Sequence, residues 1–279
     1  SYSVTGVQPC ALPICQLFSE PTMKRFFPVV FLLLFPATVS ATTASANSLV
    51  QFSTIDALLS GLYDGVVSIA DLRQQGDLGI GTFHSLDGEM VVLEGQVYRI
   101  DASGQARQVP DSETSPFASV THFAPEQQQL LPSGTDLAEL PQRLSALGLS
   151  PNHFYALRLD GHFRSVHTRS VPRQQKPYRP LVEVVQKQPE FHFDQVDGSL
   201  IGFYCPPFVR GINVPGYHLH FLDRNRTAGG HVLDFVLEHE AVLHLDRIDR
   251  FVLHLPAGDA FTTIDLQRNR ETELQQVEQ

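Results

Sequence analysis

The 279-residue chain has no tryptophan, only two methionines and only three cysteines. Two of these, Cys10 and Cys15, fall in the first 22 residues, which leaves Cys205 alone in the body of the protein. A lone thiol forms no internal disulfide, so core packing and any bound metal must hold the fold. Cys205 precedes Pro206-Pro207 in an apolar stretch and reads as a buried, inert thiol. Positive charge is also scarce. Twenty Lys and Arg stand against thirty Asp and Glu, for a formal charge of −10. That balance argues against a non-specific grip on nucleic acid or on an anionic membrane. Long apolar runs are missing from the body: none reaches the roughly 18 residues of a membrane-spanning helix.

What is present divides at about residue 47. Met23-Lys24-Arg25 opens a short basic region, and Phe26 to Phe35 is apolar apart from Pro28. Small-residue sites follow at Val39-Ser40-Ala41 and Ala44-Ser45-Ala46. This is the order of a secretory signal peptide over residues 23–46, cleaved near Ala41 or Ala46, and it implies a secreted or periplasmic protein. Residues 1–22 lie upstream of that methionine. Their run from Ser3 to Ile14 resembles translated sequencing-adapter read-through and is expected to be spurious upstream sequence.

From residue 47 onward the pattern predicts an α+β fold, mostly antiparallel or mixed sheet with a few short helices. Ser53-Thr54-Ile55-Asp56 has a helix-start pattern, a hydroxyl cap followed by an acid, with Ile55, Leu58, Leu59 and Leu62 on one face. A second short helix is expected over 68–74. After Gly79, short runs of Val, Ile, Phe and Tyr alternate with turn signals such as Asp87-Gly88 and Glu94-Gly95, which predicts a meander. A helix is expected over 136–147, and two strands, 153–159 and 162–170, joined at Asp160-Gly161. The proline-bearing stretch 171–180 suggests a connection between an N-terminal sub-domain (47–175) and a C-terminal, β-rich one (176–279) with a helical tail. A short helix over 181–188 and strands to about residue 266 complete the second half.

The most informative stretch is Pro215-Gly216-Tyr217-His218-Leu219-His220-Phe221-Leu222. Strand side chains alternate, so His218 and His220 share one face. A polar loop follows, then His231 opens Val232-Leu233-Asp234-Phe235. A hairpin centred near Asn225 puts His231 opposite His220 and lets three imidazoles converge, as around a catalytic zinc with an open position. With 12 histidines in the chain, an H-x-H pair arises easily by chance; the third histidine across a compact hairpin sets this one apart. Imidazole also suits copper, iron and nickel, so the residues alone leave the metal open. His84, His122, His153, His162, His192, His239, His244 and His254 read as structural or solvated. Taken alone, Glu89 is a turn residue after Asp87-Gly88, and Arg169, alternating with His167, is a surface ion-pair residue.

Several ordered motifs change that reading. G-I-N-V-P-G-Y-H-L-H-F-L-D (211–223), G-G-H-V-L-D-F (229–235), G-T-F-H-S-L-D-G-E-M (81–90) and R-S-V-P-R-Q-Q-K-P-Y (169–178) occur in register. From about Leu49 to the C-terminus the chain resembles the bacterial alpha-acetolactate decarboxylases. The resemblance implies decarboxylation of acetolactate to acetoin and carbon dioxide, in acetoin and butanediol metabolism, with a zinc ion held by His218, His220 and His231. It implies no organic cofactor and a homodimer. It also points to Glu89, Arg169 and a tail glutamate as catalytic residues. Glu278 is the best match for the last, with Glu273 and Glu271 as alternatives. In that chemistry the zinc stabilises the enediolate left by decarboxylation, Arg169 holds the carboxylate or polarises the carbonyl, and a glutamate returns the proton. Two alternatives compete: a cupin-like metal-dependent oxygenase, which also uses H-x-H on strands, and a non-catalytic exported binding protein.

Overall fold

Two β-sheets carry the molecule, in a computed structural model that describes residues 47–278. The expected signal peptide and the upstream residues 1–22 lie outside the described residues. Thr54 caps the first helix, Ile55–Leu59, and its side chain accepts the Ala57 N–H at 3.2 Å. Ser68 does the same for Ile69–Arg73 by accepting from Asp71. Each hydroxyl satisfies a backbone donor that the first helical turn leaves unpaired.

The first sheet has seven strands. In spatial order they are Arg250–His254, Ser48–Phe52, Ala118–Thr121, Leu78–Thr82, Glu89–Leu93, Gln96–Ile100 and Ala106–Gln108. All neighbours are antiparallel except Ser48–Phe52 and Arg250–His254, which run parallel. The second sheet has six strands, ordered Glu190–Cys205, Gly216–Asp223, Gly229–Leu237, Phe154–Arg169, Ala241–Ile248 and Gln127–Leu131. Phe154–Arg169 pairs additionally with Glu190–Cys205, so four of these strands close on themselves. Closure removes the unpaired backbone edges that an open sheet would present. Each sheet draws strands from both sides of residue 175: Arg250–His254 joins the first, and Gln127–Leu131 the second.

The two sheets share a core. Leu78, Ile80, Val91 and Leu93 from the first pack with Phe154, Ala156, Ile201 and Phe203 from the second, all buried. Cys205 belongs to this cluster and is 1% exposed, in accord with an inert thiol.

The sequence expectation fails at Asp160-Gly161, where a turn was expected. Phe154–Arg169 runs through it as one sixteen-residue strand. Asp160 pairs with Ser199 and Gly161 with Gly198, and the Asp160 carboxylate accepts from Ser199 and Arg158. The partner strand Glu190–Cys205, also sixteen residues long, keeps the pairing continuous through this point. Three helices are shorter than their patterns suggest: Leu140–Ser145, Leu181–Val185 and, capped by Thr54 rather than Ser53, Ile55–Leu59. The charged tail forms the helix Glu271–Glu278, which buries Leu274 and Val277.

Candidate metal centre and catalytic pocket

Gly216–Asp223 and Gly229–Leu237 are hairpin partners, and His220 stands opposite His231 in the register. His218, two residues before His220 on the same strand, projects to the same side. The three imidazoles therefore meet, with ring centroids 5.2 Å (His218–His220), 4.9 Å (His218–His231) and 5.3 Å (His220–His231) apart. One nitrogen from each ring lies within 4.8 Å of the others.

The next strand over supplies a cation. Arg169, at the end of Phe154–Arg169, pairs with His231 in the register. Its Nη1 donates to Glu89 Oε1 at 3.2 Å and its Nη2 to the Val277 carbonyl at 2.8 Å. Glu89 begins its strand in the other sheet, immediately after Gly88, whose φ of +88° turns the chain into it. Glu278 arrives from the tail helix. Its Oε2 is 3.7 Å from His231 Nε2 and 4.0 Å from His218 Nε2, while Glu89 Oε2 is 3.7 Å from His220 Nε2. The structure thus brings all six of the sequence-predicted site residues into one pocket. Of the tail glutamates, Glu278 is the one that lies beside the histidines, whereas Glu273 pairs with Arg268 and Arg270 and Glu271 with Arg210.

Burial dominates the electrostatics. It holds the His218 imidazole down to about 3 and lowers His220 and His231 well below their ordinary value, with the Arg169 charge adding to the effect at all three. Burial also pushes the Glu89 and Glu278 carboxyls up to about 7 against the pull of Arg169, and the nearby Glu278 raises Glu89 further. Desolvation disfavours the charged form of each group, so imidazoles stay neutral and carboxyls keep their protons longer. Neutral imidazole is the form that ligates a metal.

The residues fit a metal ion. His220 Nδ1 lies 2.8 Å from the Met90 carbonyl, which can only accept, so the ring's hydrogen sits on Nδ1. Nε2 then points its lone pair into the pocket, and it is buried without a hydrogen-bond partner among the described residues. A backbone carbonyl that holds the far ring nitrogen and fixes the tautomer is the usual companion of a ligating histidine. Three neutral nitrogens with carboxylates close by suit zinc, and equally other late first-row ions.

Sequence reasoning missed three supports. The Met90 carbonyl and the Val277 carbonyl are backbone groups and leave no trace in residue types. The third is a brace for the loop that carries Glu89: Ser85 Oγ and Tyr178 Oη are 2.9 Å apart, Tyr178 donates to Asp64, and the Gln174 N–H reaches the Ser85 carbonyl at 2.7 Å. Ser85 and Leu86 hold φ of 65° and 54°, a conformation that needs such bracing. Gln174 and Tyr178 both lie in the 169–178 motif, which was the available signal.

The pocket is lined by Ile55, Leu58, Leu86, Phe117, Val171 and Leu181 around the polar groups. Glu278 also lines a larger cleft of about 580 Å³ beside Arg210, Arg268 and Arg270. The tail helix is therefore the wall between the buried site and the surface.

A family model described as alpha-acetolactate decarboxylase matches residues 49–268. An alpha-acetolactate decarboxylase of Methanosarcina mazei is 46% identical over 235 residues, covering 84% of this chain and 81% of that one. One from Methylococcus capsulatus is 43% identical over 228 residues, covering 82% and 87%. The crystal structure of the Bacillus subtilis strain 168 alpha-acetolactate decarboxylase superposes with a TM-score of 0.80 at 38% identity. It covers 83% of this chain and 99% of that one.

Proposed function

Because this chain belongs to the alpha-acetolactate decarboxylase family of carboxy-lyases, we propose that it converts 2-acetolactate to acetoin and carbon dioxide in the pocket formed by His218, His220, His231, Glu89, Arg169 and Glu278, with zinc on the three histidines. The observation that carries this reading is the meeting of three neutral imidazoles with one buried arginine and two carboxyls. Family membership replaces the oxygenase and binding-module alternatives.

The substrate is a small anion with a ketone next to the carbon that loses carbon dioxide. When the carbon–carbon bond breaks, its electron pair moves toward the ketone oxygen, and the carbon left behind must take up a proton. Zinc at the three histidines supplies Lewis-acid stabilisation of the negative charge that builds on that oxygen. Arg169 supplies a fixed positive charge in a site with little water, where charge–charge interactions weaken least with distance. Its two contacts, to Glu89 and to the Val277 carbonyl, hold the guanidinium plane still, which costs no reorganisation during the reaction. Glu89 and Glu278 flank the imidazoles from different elements, and a carboxyl on either returns the proton to carbon. The apolar lining excludes water from the reacting carbon.

Acetoin formation from racemic acetolactate, before and after chelation and again after zinc is restored, tests the reading. Activity lost on chelation and recovered with zinc supports it. A folded, zinc-loaded protein that forms no acetoin above the spontaneous rate defeats it. We propose as well that residues 23–46 direct export; the mature N-terminus, determined by mass spectrometry, checks this.

A further inference from the structure

Outside the catalytic pocket, the long paired strands carry a second cluster of potential ligands. His167 on Phe154–Arg169 and His192 on Glu190–Cys205 are direct cross-strand partners. Their rings stack with centroids 4.0 Å apart and planes 15° from parallel. Glu190 precedes His192 by two residues and so projects to the same side of its strand. Its Oε2 lies 2.9 Å from His167 Nε2. One ligand atom from each of the three lies within 4.8 Å of the others, and all three side chains reach solvent. Among the described residues only this trio and the three-histidine pocket bring such atoms so close.

We propose that His167, Glu190 and His192 form a second, solvent-facing site for a late first-row divalent cation such as zinc, nickel or copper. Two imidazoles and one carboxylate make a three-ligand face with open positions for water, and nitrogen donors favour these ions over magnesium or calcium, which take oxygen. The register fixes both imidazole stems on adjacent strands, so little ordering is left to be done on binding. Coordination requires the Glu190 carboxylate to turn from the ring nitrogen to the cation and the two rings to tilt together, movements open to exposed side chains. The site has a structural consequence. Glu190 is the register partner of Arg169, so a cation there ties together the strand ends that present the pocket's arginine.

The test is equilibrium dialysis of the whole protein against low-micromolar zinc, with metal content read by elemental mass spectrometry. The wild-type protein is expected to hold one equivalent more than His192→Ala, and Glu190→Gln is expected to weaken retention of that equivalent. His192→Ala keeps its acetoin formation, because it leaves the catalytic pocket intact. In His218→Ala/His220→Ala, copper added in place of zinc is expected to give an electron paramagnetic resonance spectrum with nitrogen couplings, and these vanish when His192→Ala is added. That variant reads the second site whether or not the first binds metal. Equal metal content in wild type, His192→Ala and His167→Ala overturns the proposal, as do copper nitrogen couplings that survive the addition of His192→Ala to His218→Ala/His220→Ala.

Discussion

Arg169 donates from Nη2 to the backbone carbonyl of Val277 at 2.8 Å, a contact between residues 108 positions apart in the chain. It anchors the tail helix against the strand that also carries the pocket's cation, and it sets the position of Glu278, the next residue. The family model's match ends at residue 268, before this helix. The arginine therefore does two things at once: it puts positive charge in the pocket and it closes the pocket's wall.

Replacing that arginine separates the two roles from simple charge. Lysine keeps the charge but has no planar fork, so it cannot hold Glu89 and the Val277 carbonyl together. Arg169→Lys is expected to lower kcat/KM for acetolactate by roughly 10²–10³-fold, the range seen when one preorganised donor is lost. Limited proteolysis should then release the tail faster than in the wild type. Near-wild-type kinetics in Arg169→Lys would refute the positioning role.

Zinc on the three histidines is expected to stabilise as well as activate. A ligand at 100 times its dissociation constant adds about 2.7 kcal/mol to the native state. For a protein of this size each kcal/mol moves Tm by about 2–4 °C. Calorimetry with and without chelator should show that shift in the wild type, and His220→Ala should abolish most of it. An unchanged Tm in the chelated wild type, at full metal removal, contradicts metal binding in the pocket.

Gly230 tests how tightly the pocket is built. Its φ is +149°, and a Cβ placed there would sit 2.5 Å from the Arg169 carbonyl and 2.9 Å from the Thr168 side chain. Gly230→Ala must push apart the two strands that carry His231 and Arg169. The expected cost is about 1–3 kcal/mol or more from overpacking, read as a lower denaturation midpoint, with acetoin formation falling in parallel. A variant of unchanged stability would show that the strands yield more readily than the structure implies.

Cys205 is expected to be silent. It is 1% exposed in the core between the sheets, and burial pushes its thiol well above the ordinary value. A reactive thiol needs its thiolate and access to reagent, and Cys205 has neither. Alkylation followed by peptide mass spectrometry should leave it unmodified in native protein at pH 8 and label it in denaturant. Rapid native labelling would mean that the core opens far more easily than its packing suggests.

Much of this arrangement is legible in the chain itself. The alternation in Tyr217-His218-Leu219-His220-Phe221 puts two imidazoles on one face, and the short polar loop around Asn225 fixes the register that brings His231 opposite His220. Both are local effects, set by strand periodicity and loop length. The Thr54 and Ser68 caps are local in the same way. Asp160-Gly161 shows the limit: its residue types favour a turn, and the pairing with Ser199 and Gly198 overrides them. Propensity is a weak preference that continuous pairing with a sixteen-residue neighbour outweighs.

The chain alone specifies the sheet-rich pattern and the imidazole pair with its third partner across the hairpin. Packing alone puts Glu278, rather than Glu273 or Glu271, against the histidines. Likewise, it alone sets Met90 to fix the His220 tautomer and stacks the exposed His167 and His192 beside Glu190. The two kinds of relationship differ in the distance along the chain over which each is set. Periodicity and loop length act over a few residues, whereas burial, which neutralises the imidazoles and raises both carboxyls, exists only once separate sheets and the tail helix have packed together.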